Sequence, residues 1–310
     1  MGQRGAGKSA AVSTEPMHIL ADRAERDHAS GIATFYGAPV RLWQQGSQVQ
    51  APVIEFAREQ KRLVARGVAT GAANGPQVHT VLVSGAGDQA GATGGGGPIA
   101  GCPVKTVASG SGANVARLRA PQVMRIASGG LTYSGLSHEA DFNGGVWAEG
   151  DGGTIRAGEA EVFLQQPPAG ESGAKAGGGG VAAGSATAAS VGSADVGSLA
   201  GKIERMVAIG AVVIDEPGGP GIHATGARLV YTANDQDFLL TGEKGAPPKA
   251  VDGLGRSTTG AALQFHSCDA SGGQRIEALG AVPDGSEGGP AQRVRTESLV
   301  DEEKKTAKKK

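Results

Sequence analysis

The chain has 310 residues, of which 54 are Gly and 15 Pro, roughly 22% against about 12% in an average protein, and its aromatics are only 6 Phe, 3 Tyr and 2 Trp. Hydrophobic residues at 39%, many of them Ala, exclude a large helical enzyme and predict thin, strand-built folded parts joined by loose connections. The 29 Lys and Arg balance 30 Asp and Glu, so no overall field draws the protein to nucleic acid or to an acidic surface.

Residues 1–17 read as a flexible leader. Within it, Gly2 to Ser9 matches the phosphate-binding pattern GxxxxGK[ST], in which Lys8 would reach the terminal phosphates and Ser9 a magnesium ion. That loop works only when a buried strand launches it and a helix receives it; here Met1 alone precedes it and Pro16 follows. No apolar export signal stands at the start, which predicts either a cytoplasmic chain or one whose true beginning is missing.

From His18 onward three stretches share one plan. They start at His18, Met124 and Ile222, and in each an Ala (Ala21, Ala127, Ala224) opens a short strand and a Phe-containing strand closes on a Gly (Gly37, Gly144, Gly242). An alternating strand follows in each, with Ile54, Ala160 and Leu263, then Phe56, Val162 and Phe265, on one apolar face and Glu55, Glu161 and Gln264 on the other. The closing pieces Leu63 to Gly67, Met206 to Gly210 and Ile276 to Gly280 recur as well. Asn143-Gly144 and Asp151-Gly152 read as hairpin turns, and the whole predicts an antiparallel all-β stack of units too small to bury their own faces.

Glu55 to Arg66 carries good helix formers and admits a short helix; Pro52, Val53 and Ile54 favour a hairpin turning at Arg58 to Lys61 instead. A Gly-rich insertion near 85–114 and a Gly/Ala/Ser-rich segment at 167–201 bury too little apolar surface to be ordered, with a loose helix from Val181 to Val191 as the other reading of the second. The predicted organisation is a first β module at 18–166, a second at 202–296 and a charged tail at 297–310. The longest apolar run, Met206 to Ile214, is about half the roughly 20 residues of a membrane helix.

The run A-D-R-A-E, A-T-F-Y-G, V-R-L-W-Q, A-P-V-I-E-F and L-V-A-R-G in the first unit, with R-I-A-S-G-G-L-T-Y-S, A-D-F-N-G-G-V and T-I-R-A-G-E-A-E-V-F-L in the second, resembles the OstA/LptA-like family of periplasmic lipopolysaccharide-transport proteins. The third unit resembles a terminal copy, and the resemblance spans about two thirds of the chain. It implies an open β-jellyroll whose apolar groove holds lipid acyl chains, and a periplasmic location. It also implies partners among the inner-membrane and outer-membrane lipopolysaccharide-transport components, and end-to-end self-association. The groove residues are then the inward columns Ile54, Phe56, Val162, Leu164, Leu263 and Phe265, with Phe35, Phe142 and Val146 on neighbouring strands; the other reading has them fill a closed core.

Enzyme chemistry finds no support: the six His are widely spaced, no Ser-His-Asp grouping is visible, and no catalytic residue, metal ligand set or cofactor is expected. His138, Glu139 and Asp141 have ligand chemistry but fall on an expected polar turn. Cys102 and Cys268 are too few to fix a redox compartment. Trp43 and Trp147 fit either a lipid or sugar boundary or ordinary strand packing. Two functions from different classes remain, a lipid-carrying bridge and a structural or adhesive β-repeat protein without a ligand.

Overall fold

The chain alternates apolar and polar residues in short runs broken by Gly, and these runs form strands that cross the molecule back and forth. A computed structural model describes residues 17–44, 46–67, 77–84, 122–150, 153–165, 203–217, 221–232, 237–266, 275–283 and 293–297. The motif at residues 2–9, the core of both Gly-rich segments, Cys102, Cys268 and the terminal Lys run lie outside the described residues.

The first crossing is β1 (His18–Leu20) with β2 (Arg23–Arg26), followed by the unbroken β3 (Ile32–Gln44) and β4 (Ser47–Ala57). β5 (Arg62–Arg66) with β6 (Val78–Ser84), β7 (Gln122–Ser128) with β8 (Gly130–Ser134), β9 (Glu139–Asn143) with β10 (Val146–Gly150) and β11 (Gly153–Ala157) with β12 (Glu159–Leu164) make the next four. The unbroken β13 (Ile203–Glu216) and β14 (Ile222–Thr232) follow. β15 (Asp237–Thr241) with β16 (Lys249–Asp252), β17 (Ser257–Thr259) with β18 (Ala262–His266), and β19 (Arg275–Leu279) with β20 (Arg295–Glu297) complete the chain. The twenty strands thus make twelve crossings, eight of two strands and four of one, and each crossing pairs antiparallel with the one before it.

Each crossing changes direction at its middle, and the bends fall in one line. One sheet holds β2, β5, β8, β9, β12, β15, β18 and β19; the second holds β1, β6, β7, β10, β11, β16, β17 and β20; the long strands β3, β4, β13 and β14 run through both. Gly37, Pro52, Gly129, Gly144-Gly145, Gly158, Gly210, Gly226, Gly242 and Gly260 sit at the bends. Strands that pass from one sheet into a facing one turn at bulges and kinks, and the register shifts between Tyr36 and Val40 and between Ile209 and Val212 are such turns. Backbone hydrogen bonds lace successive bends together: Gly67 N–H to Gly129 O at 3.0 Å, Gly129 N–H to Asn143 O at 2.8 Å, Gly145 N–H to Gly158 O at 3.0 Å and Gly158 N–H to Gly210 O at 2.8 Å.

Folding along this line brings the two inner faces together. Ile54, Leu63, Leu131, Phe142, Val162, Leu229 and Leu263 from the first sheet join Leu42, Val49, Val78, Ile126, Ile155 and Val212 from the second in one buried cluster. Burial of each such side chain contributes about 1.5 to 3 kcal/mol. The architecture is an all-β, open β-jellyroll, and among the described residues there is no helix. Glu55 to Arg66 is therefore not helical: β4 ends at Ala57, the chain turns at Arg58 to Lys61 and β5 returns, because alternating Ile54, Phe56, Leu63 and Ala65 bury four side chains that a helix would scatter.

Asn143-Gly144 does not close a hairpin as its composition predicts. The chain keeps its direction there, with β9 bonded to β8 and β12 and β10 bonded to β7 and β11, and both Gly144 and Gly145 take positive φ. The sheet also runs unbroken past the 167–201 segment: β13 beyond it pairs with β11 and β12 before it, so both expected modules share one sheet and one core.

Bends this tight need bare backbone. A methyl group on Gly129 would lie 3.0 Å from Gly144 Cα and 3.1 Å from its carbonyl oxygen. Gly129→Ala is therefore expected to destabilise the protein by about 2 kcal/mol, within the range of overpacked sites. Gly245→Ala, in an exposed turn with open space at the Cβ position, is expected to lose only the left-handed backbone preference, about 1 kcal/mol. Urea midpoints of the two variants check the order.

Candidate functional site

The apolar interior between the two sheets takes in residues from nearly every strand pair of the described molecule. Its lining follows from strand parity: Glu55 and Val64 face out, so Ile54, Phe56, Leu63 and Ala65 face in, and the same count repeats through β8, β9, β12, β14, β15 and β18. Of the nine residues expected to line a groove, Ile54, Phe56, Phe142, Val146, Val162, Leu164, Leu263 and Phe265 are buried, from 0% exposure at Ile54 to 8% at Phe265. Phe35, opposite Ala24 of the edge strand, is half-buried against the same cluster. All nine lie on one continuous surface, and the eight buried ones pack within one cluster.

Several inward residues escape a reading based on the three aligned units. Leu131 and Tyr133 on β8, Tyr231 on β14, and Val49 and Leu42 across the bend are as deeply buried as the aligned columns. Their signal is present as alternation in Leu131-Thr132-Tyr133-Ser134, but each lies in the opening strand or the second hairpin of its unit, where the aligned columns assign no inward residue. Thr80 of β6, 1% exposed, places a hydroxyl among these apolar side chains without a hydrogen-bond partner among the described residues.

Among the described residues β1 and β2 pair only with β3, while β19 pairs only with β18 and β20 only with β17, so within them the first and last crossings each present an unpaired edge. The inward Ala24 is exposed at one end, and Ile276 and Ala278 are half-buried at the other.

Polar chemistry sits on the outer faces. On the first sheet, Asp141 of β9 lies opposite Glu161 of β12, with Glu139 two residues before it. Burial, then the charges of Asp141 and Glu161, holds the Glu139 carboxyl above the usual carboxylate range, and burial does the same to Asp141. His138 occupies the turn between β8 and β9 with a positive φ. Among the described residues no three His, Cys, Asp or Glu side chains are grouped to hold a metal ion. His266 Nδ1 lies 2.8 Å from Asp237, and His223 Nδ1 2.6 Å from Asp215, each pair joining strands on an outer face. Trp43 and Trp147 are 40% and 41% exposed, and the Trp43 ring stacks on His18 at 5.4 Å.

The depth of the interior has a titration signature. Burial pushes the Tyr133 hydroxyl up to about 12. The unfolded chain ionises this group near pH 10, so its contribution is intact below about pH 10 and is lost as pH rises through 12. Alkaline denaturation midpoints are expected to fall over that window, and Tyr133→Phe is expected to remove this component of the fall.

No family model matches the chain, and no curated protein matches it. Among solved structures it is similar to LptH of Pseudomonas aeruginosa, the LptA-homologous periplasmic component of the conserved lipopolysaccharide transport device. The likeness covers 57% of this chain and 95% of that one, at 10% identity and a TM-score of 0.39. It carries no argument about function, which rests on this chain's own residues.

Proposed function

We propose that the protein is a non-enzymatic, lipid-binding bridge that carries lipopolysaccharide through the periplasm toward the outer membrane. The acyl chains travel between the two sheets and the sugars stay in water. The observation that carries this reading is the apolar interior running without a break from one unpaired sheet edge to the other. Such a surface lowers the cost of moving a lipid through water by about 0.8 kcal/mol per CH₂ kept dry. The lipid class comes from the OstA/LptA-like motifs of the three units. Transport of this kind needs no nucleophile and no acid-base pair in the chain.

Partners follow from the edges. The β1/β2 and β19/β20 edges accept strand addition by transport components of the inner and outer membrane or by a second copy end to end. Because Phe56, Phe142 and Phe265 are buried within one cluster, chains enter as the sheets part at the hairpin ends opposite the line of bends. That same packing favours a second reading, a structural or adhesive β-repeat whose interior is simply its core.

Photo-crosslinking separates the two. A benzophenone amino acid at Phe56 or Phe265 is expected to crosslink lipopolysaccharide, and one at the outward Glu55 is not. Crosslinks at none of the three, with circular dichroism still reporting a folded β protein, make the structural repeat the correct account.

A further inference from the structure

Trp43 and Trp147 are the chain's only tryptophans, and both lie on the outer face of the second sheet. Parity fixes this: Leu42 beside Trp43 is 1% exposed and Ala148 beside Trp147 is 3% exposed, so both point inward and the indoles point out. β4, β6 and β7 separate β3 from β10, four strand spacings of about 4.8 Å, and the registers set Trp43 level with Glu149, two residues from Trp147, which puts the two positions about 20 Å apart along one face.

Three arginines share that face. Arg41 is two residues before Trp43, Arg156 of β11 is the cross-strand partner of Trp147, and Arg125 of β7 lies one residue pair further toward the hairpin end, opposite Glu149. All three are exposed, and among the described residues none has an ion-pair partner. Other arginines of the molecule divide between the two conditions: Arg66 pairs with Glu55, Arg256 with Asp252 and Arg275 with Glu277, while Arg62 and Arg228 on the first sheet have no ion pair among the described residues, so what sets this face apart is the guanidinium groups standing beside exposed indoles. Gln50 completes the row beside Arg41, and its own neighbour is His79. Ala127, opposite Trp147, is too small to cover the indole.

We propose that this face is a binding platform for an anionic oligosaccharide. An indole ring offers a flat apolar surface to the C–H face of a pyranose, with its N–H left for a hydroxyl. An unpaired guanidinium presents the planar fork that a carboxylate, sulfate or phosphate accepts bidentately, and Gln50 supplies both a donor and an acceptor to hydroxyl groups. Two indoles about 20 Å apart, with Arg125 on a strand between them, Arg41 on the strand of the first and Arg156 on the strand beyond the second, suit an extended chain of several sugars. Single-stranded nucleic acid suits the face less well, because it favours an aromatic for successive bases and a denser run of cations than this face offers beside Glu149 and Asp215. The inference does not rest on a lipid occupying the interior, which lies on the opposite side of the sheet.

Because the chain has only these two tryptophans, emission of the full-length protein under tryptophan-selective excitation reports on this face alone. Titration with tetragalacturonate and with a heparin-derived hexasaccharide is expected to give a saturable change with at least one of them. The response should weaken at high salt, fall by about tenfold in affinity in Arg125→Ala/Arg156→Ala with unchanged circular dichroism, and be weaker still for tetragalacturonate methyl ester. Trp147→Phe should also weaken binding, read by calorimetry. Absence of a saturable change with either sugar, full affinity in Arg41→Ala/Arg125→Ala/Arg156→Ala, or tighter binding of a short oligothymidylate would overturn the proposal.

Discussion

Every crossing of this chain leaves one sheet and enters the other at the same level, and most do so at a Gly, where backbones approach without side chains between them. Gly129 and Gly144 illustrate the constraint from both sides, since a methyl on either would meet the other's Cα at 3.0 Å. Gly226, Gly242 and Gly260 face neighbouring backbone or side-chain atoms at still shorter range. The hydrogen bonds that pass from Gly67 to Gly129, to Asn143 and from Gly145 to Gly158 and Gly210 keep the bends in line. A bend displaced by a residue in one strand would reverse the parity of everything beyond it, so the apolar interior exists because the line is straight. The high Gly content, which on its face argues against a folded domain, is in part the material of this line.

Much of the interior was legible because burial imposes period two on every strand that lines it. Ile54 with Phe56, Ala160 with Val162 and Leu263 with Phe265 align by parity alone, and all six are buried. The hairpin at Arg58 to Lys61 followed from the same pattern despite a helix-forming composition, because tertiary burial outweighs propensity in so short a segment. The bends were not legible. Asn-Gly is the usual mark of a tight reversal, and nothing local to Asn143-Gly144 distinguishes a reversal from a kink within a continuing strand. Only the partners of β9 and β10 on both sides decide it. An account in three repeats also underestimates the lining, since Leu131, Tyr133 and Tyr231 belong to the opening strands of their units, to which the aligned columns assign no inward residue.

The two outer faces have diverged in chemistry although they flank one core. The first sheet gathers Glu139, Asp141 and Glu161, and its Arg66 is engaged by Glu55. The second sheet carries two exposed indoles, with Arg41, Arg125 and Arg156 close to them and no ion pair at those three among the described residues. Inside, the molecule is uniform from end to end; outside, the two surfaces would meet different molecules. Among the described residues the interior carries an unpaired edge at each end, the feature on which strand addition depends.

The central claim is that the interior takes up lipid by parting the two sheets about the line of bends. Spin labels at Ser137, in the hairpin end of the first sheet, and Thr154, near the hairpin end of the second, measure that opening directly by pulsed electron resonance. The account predicts that the distance between them lengthens when lipopolysaccharide binds. An unchanged distance in protein shown to be loaded with lipopolysaccharide would contradict it.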